Sequence, residues 1–137
     1  MSDESGWTIS KTFRFDASHQ LAGLPSAHKC SRLHGHTYAV TLTLAAAGVN
    51  GPGFVLDYAD LAPFKRYVDE HLDHRHLGCQ PLFDAAGKPA AEPALNFNPT
   101  AELLARHLCD VAAGFFGSLV HSVEVKETEA TSAVWYR

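Results

Sequence analysis

The chain predicts an α+β fold built on an antiparallel sheet. Apolar and polar residues alternate with a period of two at both ends of the sequence, and two amphipathic helical stripes occupy its middle. Neighbouring strand candidates are joined by tight turns, which connect antiparallel rather than parallel strands. In the first strand, ending at His19, Phe13, Phe15 and Ala17 alternate with Thr12, Arg14 and Asp16, and His19 falls on the Phe face. The second carries Tyr38, Val40, Leu42 and Leu44 on one face and Thr37, Thr41 and Thr43 on the other. The turn residues Gly48-Val49-Asn50-Gly51-Pro52-Gly53 and the apolar Phe54-Val55-Leu56 predict a short returning strand and a hairpin.

The first helix is expected to begin at Asp60 as N-cap, with Pro63 in its first turn, and to bury Leu61, Phe64, Val68 and Leu72. Residues 78–97 contain Pro81, Gly87, Pro89 and Pro93 and read as a long irregular connection. Asn98 and Pro99 read as N-cap and first residue of the second helix, with Leu104, Leu108, Val111 and Phe115 facing the core. Two strands close the chain, one with Val123, Val125 and Glu127 on a common face and one over residues 132–136.

A length of 137 residues suits one domain spanning 1–137. With 46% hydrophobic and 19% charged residues the composition is that of a globular protein. No apolar run reaches the roughly 18 residues of a membrane span, and residues 1–6 lack the pattern of a secretion signal, so a cytoplasmic location is expected. A net charge of −4 leaves no basic stripe for a phosphate backbone, which argues against a nucleic-acid partner. The cysteines, Cys30, Cys79 and Cys109, are odd in number and irregularly spaced, which favours reduced thiols.

The unusual count is nine histidines. His34-Gly35-His36 puts two imidazoles on one face of an extended chain, the face of Tyr38 and Val40. His19, inward on the preceding strand, would complete a set of three that leaves one position of a tetrahedral Zn²⁺ open. The competing reading is a pair of loop histidines satisfied by backbone carbonyls. Cys30, four residues before His34 and among Lys29 and Arg32, is a candidate thiolate base or nucleophile, or else a free cysteine in a loop. Asp73 and His74, at the end of the first helix, form a candidate proton relay, with a solvated helix end as the alternative. His28, His71, His76, His107 and His121 lack partners at ligand spacing and are expected to be ordinary histidines. Glu127 falls on what should be a buried face, where a carboxylate needs donors such as the adjacent N–H groups of an amino-pyrimidinone ring; alternatively it has already reached solvent at a strand end.

Together, Phe15-Asp16-Ala17-Ser18-His19, the stretch His28-Lys29-Cys30-Ser31-Arg32-Leu33-His34-Gly35-His36, Leu72-Asp73-His74, Pro99-Thr100-Ala101-Glu102 and Lys126-Glu127-Thr128 resemble the 6-pyruvoyl-tetrahydropterin synthase family. The form Cys-x-Arg-Leu-His-Gly-His is similar to its 6-carboxy-5,6,7,8-tetrahydropterin synthase branch, which serves the pathway to queuosine. The likeness runs from about Phe13 to Tyr136, its motifs in the family's order. It implies a tunnelling fold, ββααββ, with two helices on one face of a four-stranded antiparallel sheet, in homo-oligomers, hexamers favoured, with active sites between subunits. By position it implies His19, His34 and His36 as zinc ligands, Cys30 as catalytic thiol, Asp73 and His74 as relay, Glu127 as pterin anchor, and Thr100 and Glu102 as a further substrate-binding segment.

The activity implied is zinc-dependent conversion of 7,8-dihydroneopterin triphosphate to 6-carboxy-5,6,7,8-tetrahydropterin with release of acetaldehyde and triphosphate. Rival expectations are a 6-pyruvoyl-tetrahydropterin synthase and a non-catalytic zinc or pterin-binding module in which Cys30 is incidental. A hydrolytic zinc enzyme is disfavoured because no Glu accompanies the histidine pair as base. The chain departs from the family pattern in the insertion after His76 and in Leu103, where many relatives carry Asn.

Overall fold

A computed structural model describes residues 5–137; residues 1–4, the start of the segment read above for a secretion signal, lie outside the described residues. Two long strands, β1 (Trp7–His19) and β2 (His34–Ala46), pair antiparallel over their whole length. Helix α1 (Ala62–His71) leads into a short strand β3 (Arg75–Leu77), then a small ribbon of β4 (Leu82–Phe83) and β5 (Pro89–Ala91). Helix α2 (Ala101–Phe116) precedes β6 (Val120–Thr128) and β7 (Thr131–Tyr136). The main sheet has the order β3-β1-β2-β6-β7. Its antiparallel part is the expected four strands; the fifth, β3, runs parallel to β1.

The alternation read from the sequence decides which face is buried. Phe13, Phe15, Ala17 and His19 on β1, Tyr38, Val40, Leu42 and Leu44 on β2, and Val123 and Val125 on β6 all face inward, against Phe64 and Val68 of α1 and Leu104, Leu108 and Ala112 of α2. Phe15 stacks on Tyr38 with ring centres 4.8 Å apart, and Phe13 meets Phe64 edge-on. No helix among the described residues is long and apolar enough to cross a membrane.

Several local expectations are corrected. Phe54-Val55-Leu56 forms no strand, because β1 and β6 already occupy both edges of β2. The turn closes on itself instead, the Asn50 side chain and carbonyl accepting from the N–H groups of Phe54 and Gly53. Asp57, not Asp60, is the cap: its carboxylate accepts from the Ala59 N–H and starts a 3₁₀ turn, Tyr58–Leu61, that runs into α1. At α2 the cap is Thr100, whose Oγ1 accepts from the Leu103 N–H, while Asn98 makes two side-chain bonds to the backbone of Ala22. The connection 78–97 is more ordered than expected, its β4–β5 ribbon turned by Asp84, which accepts from the N–H groups of Ala86 and Lys88.

Phe115 is exposed rather than buried, because the buried row of α2 follows Leu104, Leu108 and Ala112 toward Phe116. Leu108→Ala is therefore expected to cost about 2–5 kcal/mol in urea unfolding. Phe115→Ala is expected to cost less than about 1 kcal/mol, and equal costs would contradict this assignment of the helix face.

Candidate active site

His19 and His34 stand directly opposite each other at the open end of the β1–β2 pairing, and His36 lies opposite Ala17. Gly35 between them lets the strands approach closely: a Cβ there would lie 3.2 Å from the Ala17 carbonyl oxygen, and the strand would have to give by a few tenths of an ångström. The three imidazoles sent inward by this register meet through their Nε2 atoms, with His19 Nε2 2.8 Å from that of His34 and 3.1 Å from that of His36.

Their outer nitrogens decide which tautomer is present. His19 Nδ1 lies 3.1 Å from the Pro99 carbonyl and His34 Nδ1 2.7 Å from the Arg32 carbonyl. A carbonyl only accepts, so each Nδ1 carries the proton and each Nε2 presents a lone pair. In the neutral rings two lone pairs thus face each other at 2.8 Å, an arrangement that calls for a cation. Burial drives the His19 imidazole down to about 4, so it does not supply that cation by protonation near neutrality. Two such donors with the Nε2 of His36 beside them fit a borderline divalent metal such as Zn²⁺.

Glu127, on β6 one residue beyond the Ala39–Lys126 pair, brings Oε2 to 3.4 Å from the Nε2 atoms of both His19 and His36. It is half-buried, and burial pushes its carboxyl up, with His34 opposing and Glu102 reinforcing that shift. The solvent-exposed alternative raised by its place near a strand end does not hold. Beside it a cavity of about 620 Å³ is lined by Glu102, Glu127 and residues 131–135. Glu102 stands in the first turn of α2, which the Thr100 side chain caps. Arg106, one turn on, lies over the Trp135 ring at 5.0 Å.

Cys30 sits half-buried on a 3₁₀ turn, Lys29–Ser31, held by a bond from its N–H to His28 Nδ1. Its carbonyl accepts from the Leu21 N–H, which ties the turn to the chain just beyond His19. The thiol is not among the ligand atoms that gather at the three histidines.

Asp73 and His74 lie elsewhere, on the side of β1 that carries Asp16. His74 takes a left-handed conformation, φ 59°, fixed by its N–H donating to the Asp16 carbonyl at 2.6 Å. Asp73 Oδ1 accepts from the Asp16 N–H at 3.0 Å and lies 3.0 Å from His74 Nδ1. The Asp16 N–H first, and His74 next, hold the Asp73 carboxyl below its ordinary value. Thr37 in turn donates to the Asp16 carboxylate. These groups border an open cleft of about 630 Å³ that also includes His36, Arg75 and His76.

Three contributors were not singled out from the sequence. Tyr38, fully buried, places its hydroxyl 3.0 Å from His19 Nδ1; its shared parity with His36 was the available signal. The Pro99 carbonyl and the Asp16 backbone are main-chain groups without a side-chain signature. Among the histidines expected to be ordinary, His76 is buried and bonded to Ser18, His107 meets the Tyr67 hydroxyl at 2.8 Å, and His28 caps the Cys30 turn.

Comparison with known proteins shows the family of the chain. The family model described as 6-pyruvoyl tetrahydropterin synthase matches residues 8–137. A 6-carboxy-5,6,7,8-tetrahydropterin synthase of Rickettsia bellii is 36% identical, the match covering 72% of this chain and 74% of the relative. A protein of the same name from a Synechocystis species is 35% identical over 95% of this chain and 92% of its own length. The structure of Caenorhabditis elegans 6-pyruvoyl tetrahydropterin synthase superposes with a TM-score of 0.78 at 21% identity, covering 100% of this chain and 99% of that one, and shares the fold. The histidine cluster thus sits in a chain that belongs to the 6-pyruvoyl tetrahydropterin synthase family and is a pterin synthase, a lyase by class.

Proposed function

We propose that the chain, acting as a single domain over 1–137, converts 7,8-dihydroneopterin triphosphate to 6-carboxy-5,6,7,8-tetrahydropterin, taking up water and releasing acetaldehyde and triphosphate. The observation that carries this reading is the meeting of three Nε2 atoms, with a half-buried carboxylate 3.4 Å from two of them and a cavity of about 620 Å³ beside it. The names of the relatives support the carboxylated product over the pyruvoyl one.

His19, His34 and His36 would hold Zn²⁺, and the chemistry a bound zinc ion supplies is Lewis acidity toward the substrate's side-chain hydroxyls. The Pro99 and Arg32 carbonyls keep the imidazole lone pairs turned inward for that purpose. Glu127 anchors the pterin by accepting from adjacent ring N–H groups. Thr100 sets the first turn of α2 and with it Glu102, on the rim of the same cavity. Cys30 takes the proton from side-chain carbon. The imidazole of His74, with Asp73 on its Nδ1 side, returns a proton at its Nε2.

Asp73 and His74 face the outer cleft while His19 faces inward, which supports active sites completed between subunits of a homo-oligomer, with a hexamer favoured. The outer strand β7 leaves Val134, Trp135 and Tyr136 exposed, as a sheet edge that joins another copy would. The free thiols support a cytoplasmic setting.

Incubation of zinc-loaded protein with 7,8-dihydroneopterin triphosphate should yield the carboxylated pterin by mass analysis. A pyruvoyl product would move the chain to the other branch, and unchanged substrate would count against the reading. Cys30→Ala should lower kcat by about 10²–10⁴-fold; unaltered turnover would contradict its role as base. Cys30→Ala and His74→Ala, each inactive alone, should recover activity when unfolded and reassembled together if their groups meet across an interface. No recovery would put both in one chain's site.

The metal-free protein has a further expected behaviour. His19 stays neutral when folded down to about 4, whereas the unfolded imidazole protonates near 6.5. The unfolded chain therefore binds the proton first, and stability falls as pH drops from 6.5 toward 4, by roughly 3 kcal/mol for this residue. His36, His76 and His107, also lowered by burial, act in the same direction. Urea unfolding of chelator-treated protein across this range measures it, and a flat profile would contradict a neutral buried His19.

A further inference from the structure

We infer that the Ser18 hydroxyl, held by His76, is a specificity-determining group that accepts a hydrogen bond from a side-chain hydroxyl of the pterin substrate in the outer cleft. This rests on the reading of the chain as an enzyme acting on a dihydroxypropyl pterin, and it gives that side chain a partner, as Glu127 is proposed to be for the ring. Ser18 and His76 are register partners on β1 and β3. Ser18 Oγ lies 2.9 Å from His76 Nδ1, and both residues border the cleft of about 630 Å³ that also includes His36 and His74.

The direction of the Ser18–His76 bond is the telling feature. His76 is buried, and burial lowers its imidazole, so near neutrality the ring carries one proton. A bond to the Gln80 backbone opposes that shift, as a carbonyl accepting the ring proton does. The nitrogen toward Ser18 is then left with a lone pair, and the Ser18 hydroxyl donates to it. With its own proton engaged, the Ser18 oxygen is an acceptor that still seeks a donor.

The surroundings leave that oxygen open on the cleft side. Its register partner on β2 is Gly35, which has no side chain to cover it. Thr37, another hydroxyl on the same wall, already donates to the Asp16 carboxylate. Ser18 and Asp16 lie two residues apart on one strand, about 7 Å, and the Asp16 backbone holds His74. A donor bound at Ser18 therefore lies within a short side chain of the imidazole proposed to return a proton. The three-carbon side chain of 7,8-dihydroneopterin carries hydroxyls over that span, and a pterin without the side chain offers Ser18 no such donor.

Calorimetric titration of the full-length, zinc-loaded protein with 7,8-dihydroneopterin and with 7,8-dihydropterin, which lacks the side chain, separates the two parts of the ligand. Ser18→Ala should weaken binding of dihydroneopterin about 3–10-fold, the scale of one neutral hydrogen bond, and leave dihydropterin unchanged. Ser18→Thr, which keeps the hydroxyl, should restore the preference. His76→Leu removes the acceptor that orients Ser18; it should weaken dihydroneopterin selectively by about 2–5-fold and serves if the Ala variant does not fold. Unchanged dihydroneopterin binding in Ser18→Ala, or an equal loss for both ligands, would overturn the inference, the second result marking a merely structural bond. Failure of the wild-type protein to bind either pterin would overturn the pterin reading beneath it.

Discussion

The site depends on one constraint, the pairing register of β1 and β2. Because His19 lies opposite His34 and both point inward, imidazoles fifteen residues apart in sequence share a row of the sheet, and the alternation that buries Phe13 and Phe15 carries His19 to the same face. A slip of one residue would turn His19 to solvent. The core and the candidate metal site are thus specified by the same interaction. Phe15 stacked on Tyr38 illustrates the overlap, since Tyr38 packs the core with its ring and touches His19 with its hydroxyl.

The sheet carries candidate functional groups on two sides. Inward, the register assembles the histidines with Glu127 from β6; outward, the neighbouring residue Asp16 uses its backbone to hold Asp73 and His74 at the end of α1. Of the three clustered histidines, His36 also borders the outer cleft in which His74 stands. The strained left-handed His74, secured by a short bond to Asp16, indicates that its orientation is worth the conformational cost. An assembly that sets one chain's outer face against another's pocket would bring the two sets together.

Much of this was legible because parity is a local property. Phe13, Phe15 and Ala17 announce the face on which His19 falls, the spacing of His34 and His36 announces a shared face, and Val123 and Val125 carry Glu127 inward with them. The helical stripes were equally legible except at their ends, where competition for caps is settled by contacts. Asn98 looks like a cap in sequence, yet its amide is used on Ala22, 76 residues away, and Thr100 caps α2 instead. Phe54-Val55-Leu56 has strand composition but no free edge to join.

By itself, then, the sequence determined the secondary elements, their buried faces and the side chains with the chemistry to act, since all of these follow from residue type and spacing along a regular backbone. Only the tertiary structure decided the lone-pair directions. His19 is oriented by the carbonyl of Pro99, 80 residues distant, and a carbonyl is common to every residue and leaves no mark in the sequence. The placement of Asp73 and His74 beside Asp16 was likewise a matter of packing, because which flank of β1 receives the end of α1 depends on where that helix docks and not on its own composition.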